Sequence, residues 1–153
     1  MAKQKQNLIT ESFEETTIQT LIGLNNILTT NLIQTCMKFK LSPAKLSILK
    51  LVNSYGQDTG VPQSVISKYL TVTEANITGL IERMIKGKLI VRRRNPKDKR
   101  EKLIMLTPKG EELLKKGRPL YIKSTKDFLK PFKNIELETF SQLLMKLFKS
   151  HKR

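Results

Sequence analysis

Cysteine, histidine and acidic residues are scarce in this chain of 153 residues, and each scarcity removes a class of function. Cys36 is the single cysteine, so no intramolecular disulfide can form and a reducing, cytoplasmic setting is expected. The single histidine, His151, has no cysteine near it in sequence, and the spacing of a metal-ligand cluster is missing. A glycine-rich loop for cradling phosphates is missing too. Carboxylates number only 13, and the pairs Glu14-Glu15 and Glu111-Glu112 read as helix surface. An enzyme, a catalytic residue, a metal site and a cofactor are therefore not expected. Nothing approaches the roughly 18 uninterrupted apolar residues of a membrane span. The opening Met-Ala-Lys-Gln-Lys-Gln runs into Asn7, Thr10, Glu11 and Ser12 rather than an apolar stretch, so a secretion signal is not expected either.

Basic residues, by contrast, are abundant. The 29 lysines and arginines give a formal net charge of +16 and a pI near 10.1, which points to a polyanionic partner. The charge is also clustered. Between Ile85 and Lys102, nine basic residues (among them Arg92, Arg93, Arg94, Lys97, Lys99 and Arg100) face only Asp98 and Glu101. A solvated face normally intersperses the two signs more evenly. The cluster crosses strands and a loop, whereas a membrane-surface anchor usually needs one helix with a basic and an apolar face. Double-stranded nucleic acid fits better than a membrane.

Hydrophobic periodicity sets out the elements. A long amphipathic helix is expected from about Ser12 to Lys38, with Ile18, Leu21, Ile22, Leu24, Ile27, Leu28, Leu32 and Ile33 at three- and four-residue steps. Its apolar stripe is wide enough for a core plus a partner subunit. Ser42-Pro43 reads as a helix start, serine capping free N–H groups and proline fitting the first turn. That helix continues to Tyr55-Gly56, and Gly56 to Gly60 is a loop. Val61-Pro62 is expected to open a short helix ending near Leu70, with Val65, Ile66 and Leu70 inward.

Thr71 and Glu74 then have the spacing of a capping box. Ile77, Leu80, Ile81 and Met84 follow at i, i+3, i+4 and i+7, one buried face of a second helix. Ala75, Gly79, Glu82 and Lys86 lie opposite. Gly87 is expected to close the helix, Leu89-Ile90-Val91 to form a strand, and Lys102 to Leu106 its antiparallel mate. Between them, Asn95-Pro96 opens a loop through Arg100. Thr107-Pro108 repeats the cap-plus-proline signature, Gly117 and Pro119 predict a kink or break, and a last helix is expected from Asn134 through Phe148.

Helix, turn, helix and a basic hairpin in that order are what is needed to place one helix in a major groove with a charged loop beside it. The expected fold is mostly α with a small β-hairpin wing: a winged helix-turn-helix. On the second helix, Ala75 and Gly79 are small enough for close approach to DNA, and Thr73, Asn76, Thr78 and Arg83 are candidates for base edges or phosphates. In the wing the candidates are Lys97, Asp98, Lys99 and Arg100. Arg100 offers a planar cation to a narrow minor groove. Asp98 either fixes a neighbouring basic side chain or simply caps the turn.

Asp98-Lys99-Arg100 and Leu106-Thr107-Pro108-Lys109-Gly110, preceded by Gly87-Lys88-Leu89-Ile90-Val91-Arg92, resemble the wing signature of MarR-type regulators. The resemblance extends over most of the chain. It implies a homodimer in which residues 1–40 and 108–153 interlock as dimerisation helices around the DNA-binding region 41–107. It also implies a transcription regulator, usually a repressor, often released from DNA by a small aromatic or phenolic effector. Arg100 would enter the minor groove and Asp98 would orient basic side chains of the wing. No effector-binding residue follows from the sequence. Two-fold symmetry would call for an inverted repeat with half-sites about 10–10.5 base pairs apart, or a multiple. The competing reading is a sequence-tolerant architectural DNA binder without ligand control. Cys36, near the end of the first helix, reads as a buried, inert thiol rather than a redox switch.

Overall fold

The computed structural model describes residues 12–56, 59–70 and 74–151. In chain order the elements are α1 (Phe13–Met37), α2 (Pro43–Tyr55), β1 (Val61–Pro62), α3 (Gln63–Leu70), α4 (Glu74–Lys86), β2 (Ile90–Arg94), β3 (Lys102–Leu106), α5 (Pro108–Leu129) and α6 (Asn134–His151). The fold is mostly helical, with the strands forming one antiparallel sheet in the order β1-β3-β2.

The caps explain where several helices begin. Ser12 and Glu15 close a reciprocal capping box at the start of α1, so Glu15 is more than a surface charge. Ser42 accepts from the Lys45 amide and Thr107 from the Gly110 amide, each followed by proline in the first helical turn. The capping box expected of Thr71 and Glu74 lies outside the described residues.

The core is built from one face of each element of the helix-turn-helix. Leu46, Ile48, Leu49 and Val52 of α2 meet Ile66 of α3, Ile77, Ile81 and Met84 of α4, and Ile90 and Ile104 of the sheet. Cys36 from α1 and Leu114 from α5 join this cluster. Beyond it the outer helices are far less covered. In α1 only Cys36 is buried, and α6 buries none of its residues.

Three local expectations give way to tertiary packing. Val61-Pro62 is not helix but an edge strand, pairing Val61 with Ile104 and Pro62 with Leu103. An edge position tolerates a residue without an N–H. The helix therefore starts one residue later, and its phase turns Val65 outward, 44% exposed, while Ser67 is buried with its hydroxyl donating to the Ser64 carbonyl. α4 does end at Lys86, just before Gly87 as expected, but Gly87 is not the residue that turns left-handed. Lys88 is, at φ 57, and the Lys88 and Leu89 amides bond back to the Ile85 and Met84 carbonyls. The carbonyls of residues 87 and 88 are met from the start of α5, by Lys109 Nζ at 2.9 Å and Thr107 Oγ1 at 2.7 Å. That support makes a lysine tolerable where glycine is the default.

The third correction concerns α5, which runs through Gly117 and Pro119 as one helix, so the expected break does not occur. Gly117 is a contact, not an interruption: a Cβ there would lie 2.6 Å from Phe39 Cε2. Close packing of α1 and its following turn on α5 outweighs the backbone bond that Pro119 cannot donate.

Candidate nucleic-acid interface

The exposed face of α4 is the first component. Ala75, Asn76, Thr78, Glu82, Arg83 and Lys86 are positioned along it, opposite the buried Ile77, Ile81 and Met84. Gly79 lies on the same side, and a Cβ at that position would meet only Arg83 Nη1, at 3.5 Å. The helix surface is therefore open there. Thr73 lies outside the described residues.

The hairpin loop is the second component. Asn95 and Asp98 shape it through their own side chains: Asn95 Oδ1 accepts from the Lys97 amide and Asp98 Oδ1 from the Arg100 amide, each at 2.9 Å. Asn95 Nδ2 also donates to Glu101 Oε2 at 2.6 Å, and backbone bonds join Asn95 to Glu101 and Glu101 to Asp98. Asp98 thus fixes the backbone under Arg100, which matches the turn-capping reading; its recorded bond is not to a guanidinium. Lys97, Lys99 and Arg100 are all exposed on this braced loop.

Arg92 joins the two components. Although it belongs to the basic run of β2, its register opposite Ile104 places it on the sheet face that carries buried residues. Arg93 and Arg94 are exposed, but Arg92 is only part-exposed. Its Nη1 lies 2.7 Å from Glu82 Oε1 on α4, and Nη2 lies 3.3 Å from Gln63 Oε1 at the start of α3. Gln63 Nε2 in turn donates to Thr78 Oγ1 at 3.0 Å. The result is a crevice of about 430 Å³ bounded by α3, α4 and the wing, with Ser64, Arg100 and Lys102 on its walls. Sequence reasoning missed Gln63 and Glu82 here, because neither lies in a motif and the contacts close over 15 and 10 residues.

A second concavity, of about 650 Å³, lies along α5 and the end of α2. Leu114, Pro119 and Ile122 supply apolar lining; Asn53, Arg118 and Lys126 supply polar groups. Nearby, Lys50 Nζ sits 4.2 Å from the centre of the Tyr121 ring. Burial, and then the charge of Arg118, lowers the Lys50 pKa from its ordinary value. Burial raises those of Tyr121 and Cys36. Cys36 is fully enclosed, and no group of three or more metal-ligating side chains occurs among the described residues. No helix among them is long and apolar enough to cross a membrane.

A helix with an open polar face, preceded by a shorter helix and flanked by a braced basic hairpin, defines a winged helix-turn-helix. The chain belongs to the family described as transcriptional regulator SarA/Rot, which matches residues 31–116. It is 30% identical over 88 residues to the transcriptional regulator HosA of Escherichia coli O111:H-, a match covering 58% of this chain and 65% of HosA. It is 29% identical over 108 residues to the HTH-type transcriptional repressor YetL of Bacillus subtilis (strain 168), covering 71% of this chain and 64% of YetL. The matches thus span somewhat under two thirds of either relative. The MarR resemblance also holds at the level of fold. A mutant MarR from E. coli, complexed with operator DNA, superposes with a TM-score of 0.79 at 19% identity, over 90% of this chain and 99% of that one. These relatives are regulators, not enzymes.

Proposed function

We propose that this chain is a sequence-specific, DNA-binding transcription regulator that acts in the cytoplasm as a homodimeric repressor. The observation that carries the reading is the convergence of the open α4 face and the braced basic wing on one crevice. In this reading α4 enters the major groove, presenting Asn76, Thr78, Gly79 and Arg83, while Lys97, Lys99 and Arg100 reach the flanking backbone and minor groove. Asp98 contributes by holding the wing backbone.

Dimerisation is supported by the uncovered apolar surface at both ends of the chain. Ile18, Ile22 and Ile27 on α1, and Leu143, Leu147 and Phe148 on α6, are each more than two-fifths exposed. Surface of this kind marks an association site. A second copy would cover it and set two winged units, residues 41–107, on an inverted repeat. The repressor role accords with the printed description of YetL. The concavity between α2 and α5 joins the outer helices to the winged unit, so a small aromatic or phenolic effector bound there would bear on both.

The test is selection of bound duplexes from a random library at about 0.15 M salt, where purely nonspecific binding is weak. Enrichment of an inverted repeat with half-sites near one helical turn apart is the expected result. Retention of DNA without a motif would favour an architectural binder instead.

A further inference from the structure

Strand register at the stem of the wing sets two cations against each other: Arg94 on β2 lies directly opposite Lys102 on β3. Antiparallel pairs alternate between hydrogen-bonded and non-hydrogen-bonded, and the second kind brings side chains closer, with Cα atoms about 4.5 Å apart. The Asn95 amide donates to the Glu101 carbonyl, and at the other end of the hairpin the Thr107 amide donates to the Leu89 carbonyl. Both of those pairs are of the hydrogen-bonded kind, so alternation makes Arg94–Lys102 a close pair. Its side chains share the sheet face of the buried Ile90 and Ile104, and both are exposed at the outer end of that face. Like charges directly opposite each other destabilise a sheet. No carboxylate relieves this pair: neither residue has a hydrogen bond or ion pair among the described residues. The Glu101 carboxylate, next in sequence, is engaged by Asn95 Nδ2.

We infer that Arg94 and Lys102 clamp one backbone phosphate of DNA between them, at the stem of the wing. The inference rests on the DNA-binding reading above. A phosphodiester has two free oxygens, one for each cation, and its charge removes the repulsion that the hairpin otherwise carries. Strand pairing fixes the separation of the two cations before DNA arrives. Lys102 stands on the wall of the crevice bounded by α3, α4 and the wing, so the seat lies beside the recognition helix. A contact of this kind sets the register of the protein on the duplex and carries no sequence information. In the sequence both residues are members of a basic run, and only the pairing of β2 with β3 shows that they face each other.

The test compares wild type with Arg94→Met, Lys102→Met and the double variant. Each is followed by urea denaturation without DNA and by titration of a random-sequence duplex from about 50 to 200 mM salt. Each single variant should raise the urea midpoint, and the double variant should gain less than the sum of the two. On DNA, the double variant should bind less tightly by the same factor on every duplex tried. Its log–log salt slope should shrink by about 0.9, the share of one phosphate. Lowered or strictly additive midpoints overturn the inference, because the pair would not then be repulsive. An unchanged slope overturns it as well, and so does a loss of about 1.8, which belongs to two separate phosphate contacts. A loss confined to one base position overturns it in favour of base reading. A wild-type chain that retains no duplex at low salt overturns this inference together with the proposed function, whereas the other adverse results leave that function standing.

Discussion

Gly110 in the first turn of α5 lies directly on the Leu89 carbonyl, close enough that an added Cβ would overlap its oxygen. The same carbonyl accepts from the Thr107 amide, so the head of α5 is fastened to the short link between α4 and β2. Gly110→Ala should therefore force backbone apart rather than displace a side chain. The expected cost is about 3 kcal/mol, at the upper end of overpacking effects. Urea denaturation of both proteins checks this, and an unchanged midpoint would show that the junction yields freely.

Gly79 is the converse case. Space exists for a methyl group there, with Arg83 Nη1 its nearest contact. Gly79→Ala should raise stability by about 1 kcal/mol through helix propensity, yet weaken operator binding by standing between α4 and the groove floor. Thermal melting and titration with the selected duplex measure the two effects separately. Tighter or equal DNA binding would remove Gly79 from the interface.

The wing and the helix should fail differently. Arg100→Ala is expected to weaken operator binding and to lessen preference for A·T-rich flanks, where a narrow minor groove attracts arginine. Asn76→Ala should instead cost roughly 1–3 kcal/mol of discrimination at one base pair. Competition binding against single-position operator variants distinguishes them. A uniform loss across sequences would mark Asn76 as a phosphate contact.

Cys36 carries a pH signature. Burial raises its pKa, so the folded chain keeps a proton that the unfolded chain releases. Its contribution is constant below the ordinary thiol value of about 8.5 and falls as pH rises above it. The stability advantage of wild type over Cys36→Ala should accordingly hold steady up to the ordinary thiol value of about 8.5 and shrink as pH rises above it, read from paired urea midpoints. In mildly alkaline buffer the native thiol should react with a disulfide reagent far more slowly than the thiol in urea. Fast native modification would reopen the redox reading.

What was legible in the sequence was whatever local chemistry controls. Ser42-Pro43 and Thr107-Pro108 mark helix starts because capping involves neighbours only, and the four-residue face of α4 follows from helical period. The misread positions are those where a distant surface decides. Pro62 becomes strand because β3 lies beside it, and Gly117 lies within a continuous helix because Phe39 packs against it. Within the interface, the open α4 face and exposed wing lay where charge and periodicity put them. Arg92 did not, since nothing in three consecutive arginines reveals which one turns inward; strand register settles that.

The absence of any buried residue in α6 bears on more than assembly. If a second copy covers it, as proposed, the order of this helix is tied to the abundance of the chain. Where dimers are scarce, their number rises with the square of the chain's concentration, so occupancy of a two-fold site would climb more steeply than protein level. On that view the dosage of the chain is itself an input, read out by the same helices that would hold the proposed dimer together.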